Sequence, residues 1–226
     1  MNDKETLPKL TARQTTTGDI KIAYSRMIDG LQRLYAMIIA LALTTSVGVL
    51  TVSLGLNQPS GVPFSHTGSV PTVLMFVAFL STLVVFYQGM NRHLDETFVC
   101  GDLANSHLPL LLDLLVFLAE SLILVLIANT INRPVTFFYA WTSLLAVDIA
   151  WGLALFWVQR RKATLWWVVN NFGFVFGAWL CWRVLAPENV LLLAVIEVLR
   201  SINDWRMNWE FYFPSRSHLM RPEAIP

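Results

Sequence analysis

The sequence predicts an all-α protein: a polytopic bundle of transmembrane helices with six spans and both termini on the cytoplasmic side. Three observations predict it. Of the 226 residues, 55% are hydrophobic and only 14% charged, which leaves too few polar groups to cover a water-facing surface. The apolar residues are gathered in blocks of about twenty, the length at which a helix rising ~1.5 Å per residue crosses a hydrocarbon core ~30 Å thick. The basic residues, finally, collect at alternate block ends, as cytoplasmic segments retain them.

Residues 1–33 form a polar N-terminal segment. It holds Lys4, Lys9, Arg13, Lys21, Arg26 and Arg33 ahead of any long apolar run, unlike the short basic start of a cleaved signal peptide. The first span is therefore expected to stay as an anchor. From Asp19 onward Ile20, Tyr24, Met27, Ile28 and Leu31 recur at helical spacing, with Lys21, Arg26 and Arg33 elsewhere on the helix, so an amphipathic interfacial helix is expected before span one.

The bundle occupies residues 34–213 and a cytoplasmic tail residues 214–226. Its spans read as Leu34 to Leu56, Thr72 to Met90, Pro109 to Ile131, Val135 to Val158, Trp166 to Leu185, and Glu188 to about Tyr212. Between the first two, Asn57 to Pro71 has no Lys or Arg and carries Pro59, Gly61, Pro63 and Gly68, the composition of an external turn-rich loop. Of the 16 Lys and Arg, the six above, Arg92, Arg160, Arg161, Lys162, Arg206, Arg216 and Arg221 lie on one side. Arg133 and Arg183 lie on the other, and Arg200 lies within a span. The sixth span is the least apolar, because the run Val190 to Leu199 is short and contains Glu197. Charge arbitrates: without this crossing, Arg206, Arg216 and Arg221 would all lie outside, against the positive-inside rule. The alternative is five spans plus a re-entrant or interfacial helix. Beyond it Trp205, Trp209, Phe211, Tyr212 and Phe213 have the composition of an aromatic belt at headgroup depth.

Ionisable groups inside the spans carry the chemistry, since an acid at the bilayer centre costs about 2.5 to 3.5 kcal/mol on insertion scales unless it finds a partner, water or a proton. Asp113 and Glu120 in span three are two helical turns apart and share a face. In span four Trp141, Asp148 and Trp151 share another. In span six Glu197, Arg200 and Asp204 stand at i, i+3 and i+7, one stripe of acid, base and acid. Asn170, Gly173, Gly177 and Cys181 of span five form a small and polar stripe in which Gly173 and Gly177 make a GxxxG helix-packing pair. By depth, Gln88, Asp113, Asp148, Asn170, Arg200 and Asp204 belong to the cytoplasmic half, which predicts an inward-opening polar cavity with His93 and Asp95 at its inner mouth.

The loop from Asn91 to His107 gathers His93, Asp95, Glu96, Cys100, Asp102 and His107, types that suit a divalent ion, but at spacings that match no metal motif. No metal site and no cofactor are expected. Cys100 in this loop and Cys181 in an apolar block are not expected to pair. The chain contains no G-x-S-x-G, H-E-x-x-H, P-loop, G-x-G-x-x-G or C-x-x-C pattern, which leaves a membrane-embedded enzyme as the lesser reading. A net charge of +1 with no basic, aromatic-interleaved patch gives no basis for nucleic-acid binding. The expected partners are the lipid bilayer, with a second copy or another membrane protein as further possibilities, and the expected location is a bacterial inner membrane. Two functions fit: an ion- or proton-coupled transporter or channel using Asp113, Glu120 and Asp148 with Arg200 as counter-charge, or a non-catalytic sensor, scaffold or accessory subunit in which the cluster only holds helices together.

Overall fold

A computed structural model describes residues 7–56, 69–99, 107–159, 162–185 and 189–213, all joined into one helical bundle. Its helices are α1 (Leu7–Ser53), α2 (Ser69–Leu94), α3 (His107–Asn129), α4 (Pro134–Gln159), α5 (Lys162–Leu185), α6 (Val190–Met207) and the single turn α7 (Trp209–Tyr212); α2 continues into a π-helical turn, Asp95–Val99. Five helical stretches are long and apolar enough to cross a membrane: Ile22–Ser53, Val70–Val99, Leu108–Asn129, Pro134–Trp157 and Thr164–Arg183. The protein is thus an all-helical membrane protein. Helix α6 stands apart from these five because Glu197, Arg200, Asp204 and Arg206 dilute its apolar residues.

Local chemistry explains the helix ends. Helix α1 stops in a Schellman turn, in which Gly55 has φ of 68° while Leu56 N donates to Thr51 O and Gly55 N to Val52 O. Glycine adopts that left-handed conformation without a Cβ clash. Helix α4 opens on Pro134, which is tolerated at a first position whose N–H has no helical partner. Helix α6 is capped by Asn189, whose side chain accepts from Leu192 N at 3.2 Å.

Two elements differ from the sequence expectation. Residues 19–33 are not set off as a separate helix; α1 runs through position 34 without a break, there being no proline between positions 19 and 34 to end the run. Tyr24 and Ile28 of that segment are buried, because α1 lies along α3 and against the π-helical turn. The stretch from Asn91 to Val99 is likewise helix rather than loop. Its polar side chains find partners that permit this: Arg92 pairs with Glu96 one turn on at 2.8 Å, and Gln32 of α1 donates to Asp95 at 2.9 Å. Cys100, Asp102 and the expected external loop lie outside the described residues.

Packing closes the helices into a ring in the order α1, α3, α4, α5, α6, α2 and back to α1. The two ends of the ring differ. At one end Met75, Phe79, Leu124, Ile127, Ile131, Leu144 and Leu145 are buried together in an apolar core, sealed further by Phe138 stacked on Trp182 with centroids 4.4 Å apart. At the other end, where α2, α4 and α6 finish and α5 begins, the buried residues are polar. Helix α6 shows the reason in its own sequence: Glu197, Arg200, Ser201 and Asp204 face inward, while Leu191, Val195, Leu199 and Ile202 face out. An amphipathic helix with its charges inside is stable only where its surroundings are more apolar than its neighbours.

Candidate functional site

The polar end of the ring encloses a partly open cavity of about 190 Å³. Its walls are Val85, Phe86, Gly89 and Met90 of α2, Phe117 of α3, Trp151 and Leu155 of α4, Trp167 of α5 and Tyr212 of α7; its polar groups are His93, Glu96, Thr97, Glu120, Asp148, Thr164, Arg200 and Asn208. The cavity is therefore an aromatic and aliphatic chamber with a charged floor.

That floor is a buried network organised by Arg200, which is 0% exposed. Arg200 Nε and one terminal nitrogen both donate to Glu197 Oε1 at 3.3 Å, the other terminal nitrogen donates to Asn171 Oδ1 at 3.3 Å, and a further bond reaches Ser201 Oγ. Its guanidinium also lies 5.7 Å from the Phe86 ring centroid, a cation–π distance. Thr82 donates to the same Glu197 oxygen from α2. Asn171 passes the network on, donating to Asp148 Oδ2 at 2.5 Å. Asp204 accepts from Asn208 at 2.7 Å and from the Tyr212 hydroxyl at 2.8 Å. Glu120 is the exception: its Oε1 meets no donor among the described residues, and its carboxyl lies within hydrogen-bonding reach of that of Asp148. Two carboxyl groups so placed repel one another when both are ionised.

Glu120, Asp148, Glu197 and Asp204 are each at most 3% exposed; Arg200 bonds Glu197 directly and reaches Asp148 through Asn171. Four buried carboxyls and one guanidinium leave an excess of acid that a low-dielectric site does not hold fully ionised. The balance must be made up by protons or by a cation in the cavity.

The site residues named from sequence separate into groups. Glu120, Asp148, Arg200 and His93 line the cavity; Glu197 and Asp204 stand behind it, as Arg200's partner and as the acceptor of Tyr212. Asp113 is buried away from the cavity and held by His93 Nε2 at 3.0 Å, while Thr97 contacts the other ring nitrogen at 3.5 Å. Gln88 and Asp95 do not line the cavity: Gln88 accepts from Trp205 Nε1 at 3.1 Å, tying α2 to α6, and Asp95 ties the π-helical turn to α1. Asn170 accepts from Asn203 at 2.5 Å, and it is its neighbour Asn171 that bridges acid and base. Tyr212 and Trp205, read from sequence as belt residues, turn inward to these partners, whereas Trp209 and Phe213 remain exposed.

The glycines also trade places. Gly173 and Gly177 have nothing within 4 Å of where a Cβ would stand, so this pair brings no helix of the same chain close. Gly152 does. A methyl there would lie 2.5 Å from Val168 Cγ2 and 2.8 Å from Trp167 Cζ3, so Gly152 sets the spacing of α4 and α5 beside the cavity. Its signal in the sequence was a lone glycine four residues after Asp148, on the same helix face.

The fold and site define a helical membrane protein with an acid-floored, one-ended cavity. No family model, curated protein or solved structure matches the chain.

Proposed function

We propose that the protein is a small six-span transporter that exchanges protons for a cationic solute, with the cavity facing the cytoplasm. The observation that carries this reading is the excess of buried acid: Glu120 and Asp148 face the cavity with one orphaned oxygen between them and too little positive charge to neutralise them. Such a pair holds a proton or a cation, and exchange of one for the other couples the two movements. The apolar seal at the opposite end supports transport by alternating exposure rather than an open channel. Arg200 and Glu197 act differently, as the fixed charges that position Asn171 and, through it, Asp148.

Six crossings are supported by α6, whose 18 residues extend about 27 Å and present apolar side chains outward. The cytoplasmic orientation rests on the basic residues clustered at the cavity end. Gly173 and Gly177 leave a small-residue stripe on the outer side of α5, where a second copy or a partner helix could approach closely.

The test is reconstitution into liposomes with a pH-sensitive dye inside. A proton flux that responds to a cation gradient and is lost with Asp148→Asn supports the reading. Absence of flux under every gradient, together with a stable complex with another membrane protein, would favour the accessory-subunit reading, which the complete enclosure of Arg200 also fits.

A further inference from the structure

We propose that the cavity receives a small organic cation about the size of one aromatic ring with a short ammonium arm, the ammonium seated on Glu120 and Asp148. The proposal deepens the transporter reading, and rests on it for movement but not for binding.

Charge selects a cation. Glu120 Oε1 is buried without a donor, and Asp148 receives its bond from Asn171 alone among the hydrogen bonds seen. Arg200 is committed to Glu197, Asn171 and Ser201, and Glu96 at the rim to Arg92. An anion entering here would meet two acids and no uncommitted cation, whereas an ammonium would supply the donors that the floor lacks.

The walls select an organic group. Phe86, Phe117, Trp151, Trp167 and Tyr212 offer ring faces and edges to a cation and its hydrocarbon; the one oxygen among these five side chains, the Tyr212 hydroxyl, is bonded to Asp204. Among the described residues no three His, Cys, Asp or Glu side chains gather as a metal site requires. Size sets the scale: a dry cavity of ~150 Å³ holds benzene, and this one, at about 190 Å³, has room for a ring and a two-carbon amine.

The experiment is isothermal titration of the full chain in phosphatidylglycerol nanodiscs, whose lipid has no ammonium headgroup to compete. The probes are 2-phenylethylammonium, its neutral counterpart 2-phenylethanol, and phenylacetate. The ammonium is expected to bind about tenfold or more tightly than either of the others, because only it pairs with the acids. Glu120→Gln should remove about that same tenfold, and Trp167→Leu should weaken the ammonium while leaving its preference over the alcohol. If Glu120→Gln does not fold, the three-probe comparison on the native chain and the Trp167→Leu arm decide. Equal or tighter binding of the alcohol or the acid, or no saturable binding of the ammonium, would overturn the proposal. Titration needs no gradient, so ammonium binding without proton flux in liposomes would remove the transporter and keep the ligand class. Proton flux without ammonium binding would do the reverse.

Discussion

Replacing Arg200 with leucine takes the only guanidinium out of a cluster that keeps Glu120, Asp148, Glu197 and Asp204. The structure sets the size of the effect. Four hydrogen bonds from Arg200 disappear, Glu197 Oε1 keeps only the Thr82 hydroxyl, and Glu197 Oε2 already meets no donor among the described residues. Breaking a buried pair from one side costs about 3–5 kcal/mol, because the abandoned charge has no water to return to. Glu197→Leu alone strands the guanidinium and should cost a comparable amount. The two together remove both members of the pair and strand neither, so their effects should fall short of additive by about 2–3 kcal/mol, the coupling expected of directly bonded partners. Asp148 reaches Arg200 through Asn171, so the cycle of Arg200→Leu with Asp148→Asn should show a coupling of only about 1 kcal/mol. The assay is reversible unfolding in dodecyl maltoside micelles titrated with SDS, followed by helical circular dichroism. A loss below about 1 kcal/mol for Arg200→Leu would refute the reasoning, as would a stronger coupling to Asp148 than to Glu197.

Other variants test the packing, the topology and the role of the acids. Gly152→Leu should destabilise by about 1–3 kcal/mol or more, since its side chain enters space held by Val168 and Trp167, whereas Gly177→Leu should leave the thermal stability of the isolated protomer unchanged; equal effects would contradict the assigned close approach. A cysteine at Ser65 should be labelled by an impermeant reagent from outside and one at Ser217 should not, and external labelling of the latter would remove the six-span topology. If Arg200→Leu with Asp148→Asn is both stable and fully active in proton flux, the acid pair is dispensable and the transporter reading fails for this cluster.

How much of this was readable from the sequence depends on the range of the forces involved. Helix positions followed from runs of apolar residues, because burial in lipid and helical rise act on contiguous segments. The loop expected from Asn91 is helical as far as Val99 for the same reason. Hydropathy marks where lipid ends, whereas a helix ends only where a backbone signal such as Gly55 intervenes. The acid stripe Glu197, Arg200 and Asp204 was visible as helical spacing within one segment. What spacing could not give was the partner from another helix: one residue of rotation, about 100°, separates Asn170, which bonds Asn203, from Asn171, which joins Asp148 to Arg200. The same rotation turns Gly173 and Gly177 outward and leaves Ala178 buried. Tyr212 was assigned to the bilayer surface on composition; its hydroxyl instead finds Asp204, eight residues back, because a break at Asn208 lets α7 fold beneath the cavity.

The central claim, that Glu120 and Asp148 hold either a proton or a cation, is tested most directly by the proton count of binding. Titrating 2-phenylethylammonium into the nanodisc-embedded protein in buffers of different ionisation enthalpy separates the heat of binding from that of any proton released. The account predicts about one proton released per ammonium bound, displaced from the two acids, and none in Glu120→Gln. Saturable binding to the native protein with no proton released would contradict it.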